Sequence, residues 1–230
     1  MVFKVIIDGK PCSGKTTLSK ALEAALPEDY GISALDAKSY ALEKGTFSSL
    51  LRKFTENEVD TYKALAYSAM RHTLNYLALE ECAWENRKRY DVLILQRSPY
   101  AFSFMLEAVK SVSGGAGEIS GLMHGIIKAW AGFVKPDLFI YLDANADTLR
   151  ERFKNRAEGR DRIHARMIEE DDSRHKELLK TYMRKDFKVV DNNSSLEESV
   201  HVAASLIYQA YSEFMTGSSP SHSVIRAGRE

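Results

Sequence analysis

Short apolar runs recur along the chain, and between them the apolar residues fall into helical spacing. Val2 to Ile7 is β-branched and aromatic except for Lys4, the composition of a strand buried in a parallel sheet. A shorter run from Ile32 to Leu35 ends at Asp36. Three more follow, from Asp91 to Gln96, Pro136 to Asp143 and Phe187 to Asp191. After the first run a Gly/Pro/Ser-rich turn leads into Thr16 to Leu26, where Leu18, Leu22 and Leu26 share one helical face and Pro27 is expected to stop the helix. Between Leu50 and Arg89 helical spacing predicts two helices, the second running roughly from Asp60 to Asn86. Leu122 to Phe133 predicts another. A last helix is predicted to start near Ser195, whose spacing to Glu198 fits a capping box. Strands alternate with helices and no repeat is visible, which argues for one doubly wound α/β domain with a parallel sheet.

Two segments stand outside this alternation. Ser111 to Gly121 is rich in glycine and serine, the composition of a loop that moves or closes over a ligand. Residues 217–230 are Ser/Gly-rich with a proline and are expected to form a frayed tail beyond a domain of residues 1–216.

Composition narrows the classes of partner. With 44% hydrophobic residues in 230, the chain can bury a sizeable core, so wholesale disorder is excluded. Thirty-two basic residues balance thirty-two acidic ones, which argues against a nucleic acid polymer or an anionic membrane as a general partner. Only Cys12 and Cys82 occur, too few for a disulfide framework and in keeping with a reducing, cytoplasmic setting. The first apolar run is ended by Asp8 and Lys10 too quickly for a signal peptide, and no apolar stretch approaches the ~20 residues that span a bilayer. The six histidines show no metal-ligand spacing, and no nucleophile-elbow pattern supports a serine hydrolase.

The chemistry concentrates in Gly9-Lys10-Pro11-Cys12-Ser13-Gly14-Lys15-Thr16, which fits the phosphate-binding loop pattern between a strand and a helix. The two glycines allow a tight turn that gathers successive N–H groups around one anion, and the following helix adds its partial positive end. Lys15 is then placed for the β- and γ-phosphates of ATP, and the Thr16 hydroxyl for Mg²⁺. Thr17 extends the same turn. A ligand-free Gly turn is the bland alternative, and the strand-turn-helix context disfavours it. Cys12 reads either as a redox thiol at a helix N-terminus or, preferably, as a small filler of the loop.

A second cluster runs from Arg150 to Arg166. It carries Arg150, Arg152, Lys154, Arg156, Arg160, Arg162 and Arg166 against Glu151, Glu158 and Asp161, with Gly159 to let it flex. One reading is a solvated helix face balanced by the acidic run from Glu169 to Asp172. The other is a lid whose arginines close over transferring phosphoryl oxygens. Beside a phosphate loop, the lid is favoured.

In the order and spacing of these elements the sequence resembles the thymidylate kinase family of nucleoside monophosphate kinases, and also the related deoxynucleoside kinases. The resemblance spans Val2 to about Val200. It includes the phosphate loop, Tyr67 to Arg71, Gln96-Arg97-Ser98, Lys135 to Leu138 leading into Tyr141-Leu142-Asp143, and Gly159-Arg160-Asp161-Arg162. It implies a P-loop NTPase-type three-layer α/β/α fold with a five-stranded parallel sheet and an arginine-rich lid over about residues 150–166. It further implies that Tyr67 stacks on a pyrimidine, that Arg71 hydrogen-bonds the base, and that Arg97 clamps the acceptor phosphate, which Arg52 also touches. Arg156, Arg160 and Arg162 would supply charge to the transition state, and Asn192 and Asn193 would border the adenine. The family commonly pairs, which implies a homodimer.

Each residue also has a plain structural reading. Tyr67 on a helix is more often core, and a lone helical arginine such as Arg71 more often meets solvent or a carboxylate. Arg97 is harder to dismiss, because it falls beyond the carboxyl end of a strand, where parallel sheets bind ligands. Asp143, also at a strand end, is expected to cap the next helix, whereas Asp36 is a candidate for Mg²⁺ or the acceptor.

The sequence departs from the thymidylate kinase pattern at several points. Gln96 stands where an acidic residue precedes the arginine, Pro11 replaces an acid in the phosphate loop, and Met70 precedes Arg71. The Glu-Pro-Gly-Gly-Thr segment is not recognisable around Asp36 to Thr46, and Arg97-Ser98-Pro99-Tyr100 reads more like the nucleoside kinases. The leading expectation is ATP-dependent transfer to a pyrimidine deoxynucleoside monophosphate, dTMP to dTDP, because an acceptor that is already anionic tolerates a missing carboxylate. The first alternative is a deoxynucleoside kinase with Asp36 as base. The second is a nucleotide-binding regulatory protein with weak transfer.

Overall fold

The computed structural model describes residues 2–36, 88–96, 136–155, 162–169, 187–193 and 195–217, together with 85, 125, 173, 176, 177, 179 and 180. Strand β1 (Phe3–Asp8) leads to helix α1 (Lys15–Tyr30) and strand β2 (Ala34–Asp36). Strands β3 (Val92–Gln96) and β4 (Leu138–Asp143) follow, then helices α2 (Ala146–Lys154) and α3 (Arg162–Glu169), strand β5 (Lys188–Asp191) and helix α4 (Leu196–Met215). The five strands form one sheet in the order β2-β3-β1-β4-β5, every pairing parallel. All five apolar runs therefore became strands.

The near-continuous apolar sequence of β1, β3 and β4 matches their position at the centre of the sheet, where both faces are covered. Phe3, Val5 and Ile7 join Leu18, Leu22 and Leu26 of α1 and Ala203, Ala204 and Ile207 of α4 in one core. Ile6, Leu93, Leu95, Phe139 and Tyr141 are buried as well. Each leucine of the α1 stripe is wholly enclosed, worth about 1.5–3 kcal/mol apiece in area removed from water. At the edge, β5 exposes Lys188 and Val189.

Pro27, expected from the sequence to stop α1, does not: the helix runs through it to Tyr30. The missing N–H costs the Glu23 carbonyl a donor near the helix end. The last turn is held by its C-cap instead. Gly31, at φ 66°, donates its N–H to the Pro27 carbonyl, and Ile32 donates to Leu26. Helix α4 begins as expected, with the Ser195 side chain accepting from the Glu198 N–H. The helices predicted within 50–89 and 122–133, the loop at 111–121 and the tail beyond 217 lie outside the described residues. No helix among the described residues is long and apolar enough to cross a membrane.

Because β1 pairs with β3 on one side and β4 on the other, the chain reverses its winding at β1. A crevice opens beyond the carboxyl ends of strands at such a point. The loop from Gly9 to Gly14 starts there.

Candidate active site

Three backbone positions give the loop its shape. Gly9 sits at φ 148° and Gly14 at φ 94°, and Cys12 adopts φ 64° despite its side chain. A Cβ on Gly9 would lie 2.4 Å from the Leu142 carbonyl oxygen, and one on Gly14 would lie 2.6 Å from Asn192 Nδ2. Neither position admits another residue without moving backbone or a buried amide. Cys12 packs against the small cluster of Ala144, Leu149 and Ile168, which fits its reading as a filler.

The loop closes around Lys15, which is 8% exposed. Its Nζ donates to the carbonyls of Gly9 at 2.7 Å and Lys10 at 2.5 Å and to Ser13 Oγ at 3.2 Å. The ammonium is thus fixed in the concavity. Gly14, the N-cap of α1, makes no side-chain cap and no acid stands in the first turn, so the positive end of the helix keeps its attraction for an anion. By contrast, α2 and α4 are capped by Asn145 and Ser195. Asp8 accepts from the Gly9 N–H at 2.8 Å. Pro11 and Ser13 are buried, while Thr17 is exposed on the first turn of α1.

Two of the sequence candidates meet through a third residue. Thr16 Oγ1 donates to Gln96 Oε1 at 2.8 Å, and Gln96 Nε2 donates to both oxygens of Asp36 at 3.1 Å. Asp36 is fully buried. The parallel register that sets Asp36 opposite Ile94 and Ile7 opposite Gln96 brings these strand ends to the start of α1. The cradle and the Thr16 hydroxyl fit a nucleotide triphosphate and its Mg²⁺: the loop would enclose the phosphates, and Thr16 offers oxygen lone pairs to a hard cation.

Asn192 is 5% exposed and tied at every polar group. Its N–H donates to the Asp143 carbonyl at 2.8 Å, and its own carbonyl accepts from Arg152 Nη2 at 2.9 Å. Nδ2 donates to the Ser13 carbonyl at 2.6 Å, and Oδ1 accepts from Ser199 Oγ at 2.9 Å. The resemblance implies that Asn192 borders the adenine; in the structure its carboxamide braces the phosphate loop through the Ser13 carbonyl. Asn193 Oδ1 accepts from the Asn145 N–H at 2.7 Å. Arg152, counted in the sequence only as one charge of the basic segment, has contacts that reading did not foresee. Its Nη1 is buried without a partner among the described residues and lies 3.9 Å from where a Gly14 Cβ would be. The available signal was its place within the basic segment from Arg150 to Arg166.

The basic segment divides. Arg150 makes a bidentate pair with Glu169, at 2.7 and 2.6 Å, and a further bond to Asp147 at 2.8 Å. The Arg150 bond holds the Glu169 carboxyl below its usual range despite some burial, with Lys10 and Arg166 adding attraction. Arg150 is thus engaged by the acidic run that follows it in the chain. Arg162 opens α3. Its side chain, with Arg52, Tyr67, Arg71, Arg97, Arg156 and Arg160, lies outside what the structure describes. Asp143 does not cap α2, because Asn145 does; it pairs with Lys176 at 2.7 Å instead. Among the described residues no group of histidines, cysteines and acids could hold a metal by itself.

The family model for deoxynucleoside kinases matches residues 5–216. No curated protein sequence matches the chain. Among solved structures, deoxyadenosine kinase from M. mycoides with bound dCTP is similar, with TM-score 0.60, 13% identity, and coverage of 90% of this chain and 100% of that one. The same kinase with bound dATP gives TM-score 0.57 and 14% identity, covering 89% and 99%. Thymidylate kinase from Candida albicans gives TM-score 0.58 and 16% identity, covering 91% and 93%. At these identities the likeness speaks to the fold.

Proposed function

Since this chain belongs to the deoxynucleoside kinase family, we propose that it transfers the γ-phosphoryl group of ATP to the 5′-hydroxyl of a deoxynucleoside. That it is a nucleoside or nucleotide kinase follows from the family and the fold. One observation carries the choice of acceptor. The fully buried carboxylate of Asp36 stands at the carboxyl end of β2, linked through Gln96 to Thr16 of the phosphate loop. A sugar hydroxyl needs a base at that place, and a phosphate acceptor does not.

In the reaction the acceptor 5′-oxygen forms a bond to the γ-phosphorus while the bond from that phosphorus to the bridging oxygen of ADP breaks. The hydroxyl proton passes to Asp36. Lys15 and the loop amides neutralise the phosphate oxygens, with Arg97 and the arginines at 156, 160 and 162 supplying charge as it redistributes. Thr16 would hold Mg²⁺, which would supply charge to screen the triphosphate. Tyr67 and Arg71 receive the base, Arg52 approaches the acceptor, and Arg152 and Asn192 stand on the donor side.

A monophosphate acceptor, dTMP foremost, is the second reading. The likeness to thymidylate kinase and the uncharged Gln96 favour it. One assay separates the two. Purified protein, ATP and Mg²⁺ are offered deoxynucleosides and their monophosphates while ADP release is followed, with Lys15→Ala as control. Release stimulated by a deoxynucleoside and absent from the control is expected. Stimulation by monophosphates alone would transfer the proposal to the second reading. ATP binding with no stimulation by either acceptor would leave a nucleotide-binding protein and sink both.

A further inference from the structure

The hydrogens in the Asp36–Gln96–Thr16 line are fixed by chemistry. A carboxylate only accepts hydrogen bonds. One terminal atom of Gln96 lies 3.1 Å from both Asp36 oxygens, so it is the amide nitrogen. The other is then the carbonyl oxygen, 2.8 Å from Thr16 Oγ1, and the hydroxyl must donate to it. With its single proton directed at Gln96, Thr16 turns lone pairs toward the rest of its surroundings. The negative charge of Asp36 polarises the amide and strengthens the bond at its far end. Asp36 is held from a second side as well, since its backbone N–H donates to Glu23 Oε1 at 3.1 Å.

From this we infer that Gln96 is a positioning residue. Its carboxamide aims the acceptor-side carboxylate of Asp36 and presets the donor-side hydroxyl of Thr16 as an acceptor, so both halves of the site share one alignment. The inference rests on the kinase reading above and goes beyond it, because it gives a role to the very position where the sequence lacks an acid. A glutamate there would have the same shape but no N–H. Two carboxylates would face each other across the 3.1 Å now bridged by a donated bond, a repulsive arrangement.

The test is the set Gln96→Glu, Asp36→Asn and the double variant, read by thermal melting and by steady-state kinetics. Gln96→Glu is expected to lower kcat by about tenfold or more while the KM values for ATP and deoxynucleoside stay within about threefold. Each single variant is expected to melt below the wild type. The double variant exchanges donor and acceptor, so the introduced asparagine amide can donate to the introduced glutamate carboxylate. It is expected to melt above both singles without regaining turnover. Gln96→Glu keeping more than about a tenth of wild-type kcat would overturn the inference, because a residue that only fills space, or a slot that prefers an acid, predicts that result. So would a double variant that melts no higher than the more stable single. A wild type without acceptor-dependent ADP release would defeat the kinase reading separately, and the melting comparison would still decide the bridge.

Discussion

Strands β2 and β3 carry a buried or half-buried aspartate network at each end of their shared ladder, and the two networks are built differently. At the amino-terminal end, Asp91 Oδ2 accepts from the Ser33 N–H at 3.0 Å and from its hydroxyl at 2.7 Å, and Oδ1 accepts from the Tyr211 hydroxyl at 3.2 Å. The Tyr211 ring packs edge-on against Phe3. This cluster ties α4 to the sheet. At the carboxyl-terminal end, Asp36 is aligned by one amide that also serves the phosphate loop. The first network closes on the fold itself. The second ends in Thr16 at the mouth of a concavity lined by Lys15, where a ligand would complete it. The same residue type at two ends of one ladder thus ties elements of the fold together in one place and reaches the phosphate loop in the other.

The largest effect should come from Asp36→Asn at the chemical end. With a deoxynucleoside acceptor kcat should fall by about a hundredfold or more, whereas Asp91→Asn should leave kcat nearly unchanged and lower only the melting temperature. Equal losses from the two would erase the contrast. Next is Asn192→Asp, which places an oxygen against the Ser13 carbonyl that Nδ2 now serves. The KM for ATP should rise by roughly tenfold, the equivalent of one lost buried hydrogen bond, with kcat much less affected, as steady-state kinetics at varied ATP would show.

The closed network should reveal itself in the pH dependence of stability. Burial works against the charged form of Asp91, yet the bonds donated by Ser33 and Tyr211 outweigh it and hold the carboxyl below its ordinary value of 3.8. Its contribution is therefore complete above about pH 4 and is lost as pH falls through the depressed value. Tyr211 is shifted the other way, raised above 10.0 by burial, by the charge of Asp91 and by the bond it donates there. Its contribution holds below that value and fades as pH rises through the raised one. Tyr211→Phe should cost about 0.5–1 kcal/mol near neutrality and flatten both limbs of a melting-temperature profile against pH. Smallest should be Ser195→Ala, which removes the cap of α4 for about 1 kcal/mol or less and leaves the ATP KM unchanged. A rise in that KM would mean that the cap reaches the loop through Asn192 and Ser199.

Much of this was legible in the chain. The apolar runs marked all five strands because central parallel strands must be apolar on both faces. The loop motif marked the cradle because its glycines stand where the backbone admits nothing else. Pro27 misled because a proline near a helix end costs one bond, and the cap at Gly31 together with the buried Leu26 maintains the last turn. Gln96 read as a missing acid, since sequence shows the residue type and not the two partners that its amide joins across three elements. Charge counting along the chain likewise cannot see that Glu169 meets Arg150 from the next helix.

What the sequence alone determined is periodicity and local chemistry: which segments are strands, where a helix is capped, and where a glycine-bounded loop turns from strand to helix. These follow from interactions within a few residues. Which distant side chains meet was decided only by the parallel register and the reversal of winding at β1. That arrangement brings Asp36, Gln96 and Thr16 into one line and sets Asn192 behind Gly14. Such contacts depend on how whole elements pack, and no short stretch of chain encodes them.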